Sequence, residues 1–134
     1  MLSISETKNV HIYLHVLDLL SDQITMNLLY AIAKDVTNSE NLIQLLNISP
    51  KQYYDRSSRL LKIGLIRRKN AESYLTSFGQ LVHNSQMKIA LAFKHSRNLR
   101  AIDVLRSNNE IPEDQQKSLI DKLIDDPELK RLIT

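Results

Sequence analysis

Residues 49–76, SPKQYYDRSSRLLKIGLIRRKNAESYLT, constrain this chain more than any other stretch. Ser49-Pro50-Lys51-Gln52 is a strong helix start. Ser49 can cap, Pro50 suits the first helical position, and Gln52 can reach back to the cap backbone. The helix should end near Gly64, where a residue without a Cβ eases a left-handed exit. Leu65-Ile66-Arg67-Arg68 and Ser73-Tyr74-Leu75 can then pair as a two-stranded hairpin around Lys69-Asn70-Ala71-Glu72. The helix and the hairpin tip are both basic.

The rest of the sequence favours helices, since only two glycines and three prolines punctuate it. From Glu6 to Leu20 the apolar residues Val10, Tyr13, Leu14, Leu17 and Leu20 recur at helical spacing. A second helix is predicted over Ser21–Lys34, with Ile24, Leu28, Leu29 and Ile32 inward. Thr37-Asn38-Ser39-Glu40 resembles a capping box, opening a short helix with Leu42, Leu45 and Leu46. Beyond the hairpin, Thr76 or Ser77 caps a long helix to about Phe93, with Leu81, Ile89 and Leu91 inward. Phe78 and Phe93 are read as core residues. A short helix follows around Asn98 to Arg106. Ile111-Pro112 then starts an acidic helix with Leu119, Ile120, Leu123 and Ile124, and a last turn holds Leu129, Leu132 and Ile133. The predicted organisation is residues 1–21 as an N-terminal helix available for dimerisation, 22–97 as the central domain, and 98–134 as an acidic helical extension.

Composition narrows the function. At 134 residues the chain fits one domain with extensions. No apolar run approaches the roughly 20 residues needed to cross a bilayer, and MLSISETKNV lacks the form of a signal peptide. No membrane partner is therefore expected, and the predicted location is the cytoplasm. The absence of cysteine excludes disulfides, thiolate metal sites and cysteine nucleophiles. No Gly-rich phosphate loop, serine elbow or clustered acid–base set is present, so neither an enzyme nor a cofactor is expected. His11 and His15 stand four apart, a spacing that can hold a metal, but no obvious third ligand completes a site.

The formal charge of +3 conceals a segregation. Residues 1–48 carry two basic and five acidic groups, residues 49–106 twelve and three, and residues 107–134 four and seven. A basic block of this kind suits a polyanion, and its plain alternative is a solvated surface. On a helical wheel Tyr53, Ser57, Leu60 and Gly64 share one face, while Lys51, Asp55, Ser58 and Lys62 lie opposite. Tyr54 and Arg56 flank the inward face. Residues near the start of a groove-inserted helix usually reach bases. The base-contact candidates are therefore Lys51, Gln52, Tyr54, Asp55 and Arg56. Asp55 is also placed to bridge Lys51 or Arg59, each four residues away, which is its preferred reading. Ser49, Arg59, Lys62, Arg67, Arg68 and Lys69 are assigned to phosphates. For the hairpin cations the plain alternative is protection of an edge strand.

NISPKQYYDRSSRLLKIGLIRRKNAESYLTSFGQLVH resembles the winged helix-turn-helix segment of small archaeal transcriptional regulators. The resemblance covers roughly residues 22–95. It rests on the cap-Pro-Lys-Gln-Tyr-Tyr helix start, on Leu60-Leu61 before Ile63-Gly64-Leu65-Ile66, on the basic wing, and on Leu75-Thr76 with Gly79 opening the next helix. With the helical periodicity on either side of it, the expected fold is mainly α with a small two-stranded β wing, a winged helix-turn-helix with N- and C-terminal helical extensions. The resemblance further implies a sequence-specific regulator of double-stranded DNA, commonly dimeric.

Residues 22–97 already supply a core, so the Val10–Leu20 stripe is read as a homodimer seam, with the long helix after the wing as the other candidate surface. The acidic C-terminal segment can pack as an amphipathic helix, bind a partner or compete with DNA, and packing is its default. The alternative function is a winged-helix protein-interaction module in transcription or chromatin machinery. The sequence shows no sensor pocket, and it leaves the operator, the direction of control and any small-molecule effector open.

Overall fold

The computed structural model describes residues 3–133. Those residues form helices and one two-stranded antiparallel sheet, in the order α1 (Ile4–Leu20), α2 (Gln23–Ala33), α3 (Ser39–Leu46), α4 (Pro50–Ile63), β1 (Ile66–Lys69), β2 (Glu72–Leu75), α5 (Ser77–Lys94), α6 (Ser96–Ser107), α7 (Glu113–Leu123) and α8 (Pro127–Ile133). The chain divides into two compact units, Met1–His83 and Asn84–Thr134. No described helix is long and apolar enough to cross a membrane.

In the first unit, helix starts follow their capping residues. Ser3 and Glu6 form a reciprocal capping box on α1, and Ser49 and Gln52 do the same on α4. Asp22 caps α2 through the Thr25 backbone N–H at 3.0 Å. The cap of α3 is Asn38 rather than Thr37. The Asn38 side chain accepts from Glu40 and Asn41, whereas the Thr37 carbonyl accepts from the Ser73 N–H. Asn47 and Gly64 leave their helices in the left-handed region, at φ 52° and 90°.

The core of this unit gathers α1, α2, α3, α4 and the hairpin around Leu28, Leu29, Leu42, Tyr53, Leu60 and Leu65. Each buried leucine contributes roughly 1.5–3 kcal/mol by leaving water. On α4 the buried residues are Tyr53, Ser57 and Leu60, the face expected from its periodicity. On α1 the buried residues are Val16, Leu19 and Leu20. Val10, Tyr13, Leu14 and Leu17 of the sequence stripe stay exposed.

The hairpin pairs Ile66 with Leu75, Arg67 with Tyr74, Arg68 with Ser73 and Lys69 with Glu72. Its turn is tighter than the expected four-residue tip. Asn70 and Ala71 alone connect the strands, both at positive φ (53° and 64°), as two-residue hairpins that match strand twist require. An isolated bridge between Asn38 and Glu72 ties the hairpin to the α2–α3 connection.

Gly79 explains a departure from the expected packing of α5. A Cβ there would lie 1.9 Å from the Leu65 carbonyl oxygen, so the helix rests directly on that backbone. This turns Gly79, Val82 and His83 inward. Phe78 and Leu81, expected in the core, are exposed as a result. Ile89 and Phe93 share the helix face of Gly79 and Val82 but lie beyond His83, where the first unit ends, and they too are exposed. Leu45 of α3 is exposed as well.

The second unit has its own small core of Ile102, Ile120, Ile124 and Leu129. Polar ties complete it. Asn98 Nδ2 donates to the Leu123 carbonyl at 2.7 Å, and Arg106 donates to the Ile133 carbonyl at 2.9 Å. The apolar side of the acidic segment thus packs against α6. Leu119 and Leu132, expected inward, are exposed.

Candidate nucleic-acid interface

The eleven residues assigned from sequence lie on two neighbouring elements of the first unit, α4 with its cap and the hairpin. The hairpin follows α4 after only Gly64 and Leu65. Ile66 and Arg68 share one face of β1, and Arg67 and Lys69 share the other. Ile66 is buried, so Arg68 extends along the packed side and reaches α4. Arg68 Nη2 donates to the Tyr53 hydroxyl at 3.3 Å, and its guanidinium lies 5.9 Å from the Tyr54 ring centre. Tyr53 and Tyr54 pack edge to face, with ring centres 5.0 Å apart. The phenol of Tyr53 is buried with its hydroxyl turned to Arg68, which satisfies a polar atom that would otherwise be costly to enclose.

Arg67 and Lys69 project from the opposite face. Arg67 lies 5.5 Å from the Tyr74 ring centre, a cation–π arrangement that orders the guanidinium while leaving it exposed. Tyr74 donates its hydroxyl to the Glu72 carboxylate. That bond and the adjacent negative charge raise the Tyr74 pKa above its usual value.

Along α4 the assigned residues divide by how far each is already engaged. Gln52 Oε1 accepts from the Ser49 N–H at 3.0 Å, and the Ser49 hydroxyl accepts from the Gln52 N–H at 3.1 Å. Both are occupied in the cap. Arg56 is only 23% exposed. Its Nε donates to Asp22 at 3.2 Å and its Nη1 to Asp55 at 3.4 Å. Asp55 also meets Arg59 at 3.3 Å, the i,i+4 bridge foreseen for it. Asp22, Arg56, Asp55 and Arg59 therefore form a continuous chain of charge. Hydrogen bonds from Thr25 chiefly, and then Arg56, hold the Asp22 carboxyl below the usual carboxylate range. Lys51, Tyr54 and Lys62 are exposed. Lys51 and Lys62 take part in no ion pair among the described residues.

Sequence reasoning missed three features. The Asp22–Arg56 pair joins residues 34 apart, and no local spacing signals it. An open cleft of about 510 Å³ lies between α1 and α4, lined by His15, Asp18, Asp22, Arg59, Lys62 and Ile63. His83 is buried with its ring centre 5.9 Å from that of Tyr30. Burial, then nearby Lys34, lowers its pKa.

No family model, curated protein or solved structure matches this chain. Among the described residues no group of three or more His, Asp or Glu side chains is placed to hold a metal. The candidate surface combines exposed cations, Lys51, Lys62, Arg67 and Lys69, and the exposed Tyr54 ring with the ion-paired carboxylate of Asp55. Such a surface can accept anionic oxygens and flat rings.

Proposed function

We propose that this chain is a winged helix-turn-helix transcription regulator that binds double-stranded DNA in a sequence-specific way. In this reading α4 enters the major groove and the hairpin serves as the wing on phosphates. The observation that carries it is the Arg68 contact with Tyr53, beside the Tyr54 ring. It sets the basic hairpin against the first half of α4, which supports a helix-and-wing reading.

The engagement of each residue refines the roles. Lys51, which forms no ion pair among the described residues, and Tyr54, exposed but packed beside Tyr53 and Arg68, are the base-reading candidates. Gln52, Asp55 and Arg56 reach a base only by giving up cap or ion-pair bonds. Lys62, Arg67 and Lys69 contact phosphate, while Arg68 both orders the wing and supplies charge beside it. The exposed Val10, Tyr13, Leu14 and Leu17 support a homodimer built on α1, which would place two reading helices on half-sites one or more DNA turns apart. The same apolar stripe also favours the second reading, a winged helix used to bind another protein.

The deciding test is titration of the purified chain against a duplex from upstream of its own gene and a scrambled duplex, at two salt concentrations. Preferential binding that weakens steeply with salt is expected. Equal binding to both duplexes removes sequence-specific recognition of that site. No binding to either, even at low salt, moves the assignment to the protein-interaction module.

A further inference from the structure

The second unit carries a basic surface that the helix-and-wing reading does not use. Residues 84–100 contain Lys88, Lys94, Arg97 and Arg100 and no acidic residue. All four cations are exposed. None takes part in an ion pair among the described residues. The unit does not lack carboxylates, for residues 107–134 hold seven. Those with contacts are directed elsewhere: Asp121 pairs with Lys130 at 3.8 Å, and Asp126 caps α8 through the Leu129 N–H at 3.0 Å. Arg106, the other arginine of α6, is drawn to the Ile133 carbonyl. Apart from Asp103 on α6, the unit thus keeps its negative charge on α7, α8 and their flanks, and it leaves Lys88, Lys94, Arg97 and Arg100 without an ion pair among the described residues.

Arg97 and Arg100 are the best-defined part of that end. They are three residues apart on α6, and Ile102 turns the opposite side of the helix into the core. Residues at this spacing are neighbours on a helix surface. Asp103 and Val104 complete the same exposed face. Guanidinium groups suit phosphate because their paired N–H donors match its oxygens.

We infer that the Arg97–Arg100 face of α6 is a second contact for nucleic-acid phosphate, outside the helix and wing. It adds affinity and salt dependence without adding base choice. The inference rests on the DNA-binding reading and extends the protein's footprint beyond the first unit.

The test is the salt dependence of duplex binding by the full chain, compared with Arg97→Gln/Arg100→Gln and, separately, Asp103→Lys. Each phosphate contact contributes about 0.9 to the slope of log K against log salt. The double variant should therefore lose about 2 from the slope, equally on specific and scrambled duplexes. Asp103→Lys adds a cation to the same face and should steepen the slope by about 1, a gain that misfolding does not mimic. If wild type binds with a steep slope and neither change moves it, the second contact is overturned while DNA binding stands. If wild type binds no duplex, both fall. A loss confined to the specific duplex also overturns the inference, because a phosphate contact carries no base preference.

Discussion

Gly79→Ala tests how α5 is seated. In an open helix this change stabilises by roughly 1 kcal/mol, because alanine loses less backbone entropy on folding. Here the added Cβ would sit 1.9 Å from the Leu65 oxygen and 2.9 Å from its carbonyl carbon. Both are backbone atoms, and Leu65 is fully buried, so no flexible side chain can yield. The helix must retreat by about 1 Å or more to reach ordinary contact distances. Overpacking of that kind costs about 1–3 kcal/mol, with more at a rigid site. The retreat also stretches the Thr76 N–H bond to the Leu65 carbonyl, now 3.1 Å, for about 1 kcal/mol more. After the propensity gain is set against these losses, the variant should be about 1–3 kcal/mol less stable. Urea unfolding followed by circular dichroism reads this as a lower midpoint at unchanged slope. Ala92→Gly, on the exposed side of the same helix, should cost only about 1 kcal/mol. A Gly79→Ala protein as stable as wild type, or more so, would refute the seating.

The Ala71 backbone sits at φ 64°, a strained value for an L side chain, so Ala71→Gly should stabilise by about 0.5 kcal/mol and raise the melting temperature in calorimetry. Arg56→Ala and Asp22→Ala should each destabilise, with a coupling of about 0.5–1 kcal/mol in a double-mutant cycle by urea titration; zero coupling would make the pair incidental. Because the folded state lowers the Asp22 pKa from 3.8, its carboxylate contributes stability above that pH and loses it as pH falls through the lower folded value. The stability gap between wild type and Asp22→Asn should therefore be constant near neutrality and close in acid. Leu14→Glu should reduce a homodimer to the 15.5 kDa chain in light scattering, with helix content kept; a dimer that survives moves the seam elsewhere.

The helix start at Ser49-Pro50, the exit at Gly64 and the buried side of α4 were legible because each is encoded within a few residues. Capping needs only short-range hydrogen bonds, and helical periodicity sorts the faces. The α5 error has the opposite origin. Phe78 and Leu81 have the spacing of a buried stripe, yet one glycine meeting the Leu65 carbonyl, in the link between α4 and β1, sets the rotation of this part of the helix, while Ile89 and Phe93 lie past the end of the first unit. Hydrophobicity alone does not report such a contact. The site shows the same division. Lys51, Lys62 and the hairpin cations are visible from charge and spacing, while the engagement of Arg56 with Asp22 is a tertiary event. The tight turn was underestimated because Asn70-Ala71 lacks the glycine that usually marks positive φ.

The Thr76 hydroxyl donates to the Gly64 carbonyl and accepts from the Gly79 N–H. One side chain therefore fastens the exit of α4 to the entry of α5, and the hairpin is the segment held between them. Its base can open only if both helix ends loosen together, and the Asn38–Glu72 bridge also holds the strand beside the tip, so that only the Asn70–Ala71 turn stands clear of these ties. Hydrogen exchange at the Leu65 and Thr76 amides should then follow the unfolding of the whole first unit, and exchange at Asn70 and Ala71 should be fast. Flexing of the segment should then be confined to its two-residue turn. Under the proposed DNA-binding role, the turn is the part that can adapt to local variation along a duplex while the fastened base keeps Arg68 against Tyr53.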